Sequence, residues 1–225
     1  MRLIIVGGDR YHLAMVPLSH LLTFALAAAL LIALPGPSVL FVIGRTLALG
    51  RRAGLLSVAG NASGMLIQTS LVALGVGAVV AESIVVLTVI KFAGAAYLIY
   101  LGIQAIRHRH RVAAPVQRET PRSTLRLLGE GFVVGVTNPK SIVFFVAILP
   151  QFVEPSAGAI PLQLAELGLA FVVLALLMDS TWVLTAGAAR SWFARSPKRL
   201  SNLGVVGGVA MIGLGGTLAV TGVKN

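Results

Sequence analysis

The sequence predicts an all-α integral membrane protein, with six transmembrane helices laid out as two inverted three-helix repeats and with helices 1 and 4 broken. Three observations carry that reading. First, 57% of the 225 residues are hydrophobic and only 11% are charged, with a mean hydropathy of +0.94. A soluble domain carries roughly 25% charged residues, and a water-soluble core could not hide this much apolar surface. Second, six apolar runs are each long enough to cross about 30 Å of hydrocarbon. They lie near residues 21–44, 54–79, 83–105, 126–150, 160–187 and 201–222. Third, a helix-breaking triplet interrupts two of them: Pro35-Gly36-Pro37 in the first and Asn138-Pro139-Lys140 in the fourth. Placing Pro35 over Asn138 sets Ser38-Val39-Leu40-Phe41-Val42-Ile43 over Ser141-Ile142-Val143-Phe144-Phe145-Val146. Ser and Phe coincide and the rest are apolar, as an internal duplication requires.

Residues 1–14 precede the first run and hold Arg2, Asp9, Arg10 and His12 around a short Leu3-Ile4-Ile5-Val6 stretch. That stretch is too short for a secretory apolar core. Met15 stands just before the first long run, and we expect it to be the native start, with 1–14 an upstream extension. The remaining residues, 15–222, read as one transmembrane domain. Its halves are about 15–105 and 126–222, joined by a basic cytoplasmic loop at 106–125.

Charge placement sets the orientation. The linker after run one has Arg45, Arg51 and Arg52. The linker after run three has Arg107, Arg109, Arg111, Arg118 and Arg122, with Arg126 at its edge; that after run five has Arg190, Arg195, Lys198 and Arg199. The linkers after runs two and four carry Glu82 and Glu154 and no basic residue. Cytoplasmic loops collect Lys and Arg, so both termini are expected outside the cytoplasm of a bacterial inner membrane. The net charge of +11 is then a topology signal that also suits contact with lipid headgroups, and no nucleic-acid partner is expected. Three spans per half force the halves into opposite senses, a common layout among secondary transporters.

Within the runs, polar residues mark the chemistry. Proline removes a backbone donor, so carbonyls one turn before Pro35 and Pro37 are left without partners. Free carbonyls and half-helix amides of this kind can hold an amino acid's ammonium and carboxylate; a plain structural kink is the alternative for either triplet. Lys140 places an ammonium in mid-span, which costs about 2.5–3.5 kcal/mol on insertion scales. Its candidate partners are a substrate carboxylate or Asp179. Asp179 sits roughly 12 Å from the cytoplasmic end of run five at 1.5 Å per residue, and a buried acid is a natural proton carrier. An ion pair that only fixes packing is the alternative for Asp179. Asn61 and Gln68 are weaker polar candidates, Lys91 and Tyr97 read as interfacial anchors, and Glu130 reads as a gate or an interface residue. Trp182 and Trp192 read as membrane-belt aromatics. Gly60/Gly64, Gly131/Gly135 and Gly204/Gly208 form GxxxG pairs that permit close helix approach. Intramolecular packing is expected of them, with Gly204/Gly208 the first choice for a homodimer face.

Several classes are excluded. With no cysteine there is no disulfide framework, thiol redox centre or cysteine metal site. None of His12, His20, His108 and His110 lies inside an apolar run, and neither HExxH nor GxxxxGK[ST] occurs. No cofactor, metal or enzymatic activity is expected.

The motifs Leu34-Pro35-Gly36-Pro37, Lys91 to Gly102 (KFAGAAYLIYLG), Gly131-Phe132 before Asn138-Pro139-Lys140, Pro150-Gln151-Phe152, and Asp179 in the fifth run occur in an order that resembles the LysE/RhtB family of amino-acid exporters. The resemblance covers about residues 15–222. It implies a six-helix inner-membrane protein that expels amino acids or derivatives, driven by the proton motive force. It also implies that Pro35, Gly36, Pro37, Asn138, Pro139, Lys140 and Asp179 are functionally sensitive. The competing functional readings are a facilitative channel and a non-transporting membrane scaffold.

Overall fold

A computed structural model describes residues 16–80, 84–109 and 123–220. The expected extension at 1–14, the Met15 start and most of the basic loop at 106–125 lie outside those residues. The described chain is helical throughout, with no strand among the described residues.

Two helices, α1 (Leu18–Ala33) and α2 (Pro37–Leu49), share the first apolar run and meet at 51°. Alanine and leucine dominate α1, both strong helix formers. It stops where Pro35 and Pro37 withdraw donors. Pro37 then opens α2 at a first-turn position, where a missing N–H costs nothing. Gly50, at φ 90°, ends α2 in a conformation that favours glycine. After it come α3 (Arg51–Val80) and α4 (Ile84–Arg107).

A second bent pair follows. Helix α5 (Thr124–Thr137) starts on Ser123, whose side chain accepts the Arg126 N–H at 3.3 Å. It ends at Asn138 because Pro139 disfavours helical geometry in the residue before it. The chain resumes at α6 (Pro139–Val143), passes through a π turn at Phe144–Ile148 and closes in a 3-10 turn at Leu149–Phe152. This segment meets α5 at 41°. Pro150 has no N–H to continue the ladder, and the side-chain amide of Gln151 donates to the Ala147 carbonyl at 2.6 Å. The π turn lets the consecutive Phe144 and Phe145 both be fully buried. They join Phe24 and Phe171 in an aromatic cluster with centroid spacings of 4.8–6.3 Å. Beyond it lie α7 (Ile160–Ala188), the short α8 (Arg190–Ala194) and α9 (Pro197–Val220).

Segments of α3, α7 and α9 are long and apolar enough to cross a membrane, and so is each bent pair taken as one span. The outer surface agrees: Leu18, Leu22, Leu26 and Leu30 form an exposed stripe on α1, each more than 60% accessible. In water such a stripe would be an adhesive patch; in hydrocarbon it is solvated.

The glycine pairs decide the packing. A Cβ on Gly60 would strike the Leu128 carbonyl, and one on Gly64 would lie 2.5 Å from the Phe132 carbonyl. In return, Cβ atoms on Gly131 and Gly135 would strike the Ser57 and Asn61 carbonyls. The two GxxxG pairs therefore face each other across the α3–α5 seam at backbone contact. Gly208 lies against the Gly102 carbonyl, which gives the third pair to α4–α9 packing. Intramolecular packing, as expected of the glycine pairs, thus accounts for Gly208, while Gly204 is looser, with nothing nearer than 3.9 Å to its Cβ. Lys91 departs from the interfacial reading, since it is buried, while Tyr97 is exposed and stacks on Tyr100. Trp182 packs partly buried against Val39, Ile43, Leu47 and Ala186, and Trp192 lies half-exposed under Arg199.

Candidate functional site

At each break, the carbonyl four residues before a proline loses its helical donor, and a side chain from elsewhere replaces it. In the first break Leu31 faces Pro35. Its carbonyl accepts from the Lys140 ammonium at 2.6 Å, and the Leu34 carbonyl accepts from the same nitrogen at 2.7 Å. In the second, Gly135 faces Pro139. The Gln68 amide donates to the Gly135 carbonyl at 2.9 Å and to the Val136 carbonyl at 2.8 Å. One cap is a charge and the other a neutral amide.

The breaks also touch directly. The Asn138 amide donates to the Ser38 hydroxyl at 3.1 Å, while its side-chain oxygen caps α6 by accepting the Lys140 N–H at 3.1 Å. The Ser141 hydroxyl donates to the Asn138 carbonyl at 3.1 Å. Residues 100 positions apart are thus locked into one junction. Gly36 leaves the lane for Lys140: a Cβ there would be 2.9 Å from Lys140 Cδ and 3.3 Å from its Nζ. The break is braced from behind by α9, where a Cβ on Gly207 would strike the Pro35 carbonyl.

A cavity opens beside this junction. Its polar wall is Ser38, Asn138, Lys140, Ser141 and Asp179. Its apolar wall is Leu31, Ile32, Val39, Met65, Phe171 and Ala175. Phe171, Ala175 and Asp179 recur at four-residue spacing, which places them on one face of α7. The cavity measures about 20 Å³, room for about one water. All five polar residues are at most 6% exposed.

Of the residues singled out in the sequence, Asn138, Lys140 and Asp179 meet at the cavity. Pro35, Gly36, Pro37 and Pro139 shape the backbone around it without lining it. Asn61 stands behind the wall and donates its amide to an Asp179 carboxylate oxygen at 3.1 Å. The candidate pairing of Lys140 with Asp179 is not formed as a contact: among the described residues no ion pair within 4 Å joins them, and the ammonium goes to the two carbonyls instead. Burying an ammonium costs several kcal/mol unless it is well bonded. Two main-chain acceptors answer that need; the Leu31 carbonyl is otherwise met only by the Leu34 N–H, at a long 3.3 Å. Ser38 and Ser141 were missed as site residues, although their coincidence in the repeat alignment marked them. Glu130 bonds to Arg45, tying α5 to α2, and to Arg126 at 3.0 Å.

The family described as LysE type translocator matches residues 29–222. A membrane protein of Vibrio cholerae is 36% identical over 202 residues, covering 88% of this chain and 95% of its own. The homoserine/homoserine lactone efflux protein of Salmonella typhi is 31% identical over 196 residues, covering 87% and 94%. The leucine efflux protein of Klebsiella pneumoniae is 27% identical over 208 residues, covering 88% and 93%. No solved structure matches. A match over residues 29–222, most of the chain, means that the chain belongs to the LysE type translocator family.

Proposed function

We propose that the protein is a secondary transporter that exports amino acids or their derivatives from the cytoplasm, with a proton returning on Asp179. The chain belongs to a translocator family and is not an enzyme. Relatives named for efflux of homoserine, homoserine lactone and leucine support the cargo class. Six spans follow if α4 is counted with the three long helices and the two bent pairs. The halves then form an inverted repeat about the junction, with both termini outside the inner membrane and the basic linkers among cytoplasmic headgroups.

The observation that carries this reading is the junction itself. Two interrupted helices meet in the protein interior around a buried cation, a buried acid and two hydroxyls, beside an apolar wall. A scaffold has no use for such a cluster, because each buried charge costs stability. The cavity is too small for an amino acid, so the substrate enters only when the halves separate. Asn61 suits a proton carrier: its amide donates to the ionised Asp179 and, with the amide turned, accepts from the protonated acid.

Proteoliposomes loaded with labelled homoserine or leucine and given a pH gradient test the proposal. Efflux should require the gradient, and Lys140→Met and Asp179→Asn should reduce it to background while inserting normally. Gradient-independent efflux would remove the proton and favour a facilitative channel. Absence of efflux across an amino-acid panel would favour a scaffold.

A further inference from the structure

We propose that Lys140 is a tethered stand-in for the substrate's own ammonium. The Leu31 and Leu34 carbonyls form a primary-ammonium subsite, which Lys140 fills here and yields when an amino acid enters. The inference rests on reading the cavity as the substrate site.

The subsite is built by the chain rather than by Lys140. Pro35 has no N–H for the Leu31 carbonyl, which keeps only a long 3.3 Å bond from the Leu34 N–H, so α1 ends in acceptors with capacity to spare. An ε-ammonium and an α-ammonium present the same head: one positive nitrogen with three donors. Two of Lys140's donors are spent on these carbonyls, at 2.6 and 2.7 Å. The carbonyls would take a substrate's ammonium in the same geometry.

Space and charge point to exchange rather than addition. The cavity admits about one water, so an incoming molecule must displace something. Lys140 has a flexible four-carbon stem that reaches the carbonyls past Gly36. Formal charges at the wall cancel between Lys140 and Asp179, and a zwitterion adds no net charge. If its ammonium takes the carbonyl pair, the released Lys140 is beside the substrate carboxylate and can pair with it. Every charge then keeps a partner through the swap. The second break has no such device, because its cap is the neutral Gln68. The substrate class follows: a free primary ammonium is required, so N-acylated amino acids are excluded, and the apolar wall takes an uncharged side chain.

The full chain in detergent tests this by thermal unfolding. Lys140→Ala should melt below wild type, and isoamylamine should raise its Tm by about 2–4 °C. Isoamyl alcohol should not raise it, and neither probe should move wild type. N-acetyl-leucine should leave wild type unmoved where L-leucine or L-homoserine shifts it. Should Lys140→Ala fail to fold, wild type alone suffices: mass-spectrometric acylation of Lys140 should accelerate several-fold when either amino acid is present. Equal rescue by the alcohol, or amino-acid binding that leaves Lys140 labelling unchanged or slower, would overturn the proposal. Rescue by the amine with neither amino acid binding would count against the exporter reading while leaving the carbonyl pair an ammonium subsite.

Discussion

Gly64→Ala measures how tightly the α3–α5 seam sets the site. The added Cβ would sit 2.5 Å from the Phe132 carbonyl oxygen and 2.6 Å from the Val136 nitrogen. A relaxed carbon–oxygen contact needs about 3.3 Å, so the helices must part by about 0.8 Å. The obstructing atoms are backbone, which no rotamer change can move. A gap of 0.5–1 Å forfeits about a quarter to a half of each dispersion contact it opens, and overpacking of this kind costs about 1–3 kcal/mol. For a chain of this size that is a fall in Tm of about 2–4 °C per kcal/mol. Gly129→Ala is the matched control on α5, because nothing lies within 4 Å of its Cβ. There the helix-propensity gain of about 1 kcal/mol should leave stability equal or higher. The assay is thermal unfolding of both variants in one detergent. Equal melting temperatures would refute the claim that the paired glycines, rather than lipid or loops, set the helix spacing. The seam also positions chemistry, since Asn61, Gln68 and Gly135 all lie on it, and Gly64→Ala should slow efflux as well.

Further outcomes follow from single contacts. Gln68→Leu strips the caps from the Gly135 and Val136 carbonyls and should destabilise by about 1–3 kcal/mol, read as a lower Tm. Gln163, fully buried, accepts the Glu154 N–H and donates to the Glu154 and Gly158 carbonyls at 2.7–3.0 Å; Gln163→Leu should cost about 1–3 kcal/mol, and proteolysis of the 153–159 turn should quicken. A double-mutant cycle on Arg45→Met and Glu130→Gln should give a coupling of about 0.5–3 kcal/mol, because this pair joins α2 to α5. Additive effects would show that the contact is not formed in solution.

Much of the fold was legible because prolines and glycines act locally. Pro35, Pro37 and Pro139 marked both breaks, and the spacing of Gly60/Gly64 and Gly131/Gly135 marked close-packed faces. What the chain could not announce was which faces meet. Gly64 touches Phe132 and Lys140 caps Leu31 across more than sixty and one hundred residues, and no local period encodes such pairings. Lys140 stood out because a mid-span charge is expensive, and Asp179 was its plausible partner by charge. The structure prefers two carbonyls, since main-chain acceptors that lose an α-helical donor at a break need donors as much as an ammonium needs acceptors. The π turn at Phe144–Ile148 left no sequence mark beyond Pro150, which explains only its end.

If the protein works as proposed, both breaks face one chamber that holds the passenger. The chain has no cysteine, so Ser38→Cys introduces a single thiol at the junction, and Leu26→Cys introduces one on the exposed leucine stripe. Under transport conditions a small water-soluble thiol reagent should label Ser38→Cys but not Leu26→Cys, which faces hydrocarbon, and L-leucine or L-homoserine should slow the Ser38→Cys labelling several-fold. Labelling of Ser38→Cys that is indifferent to every transported amino acid would contradict the claim.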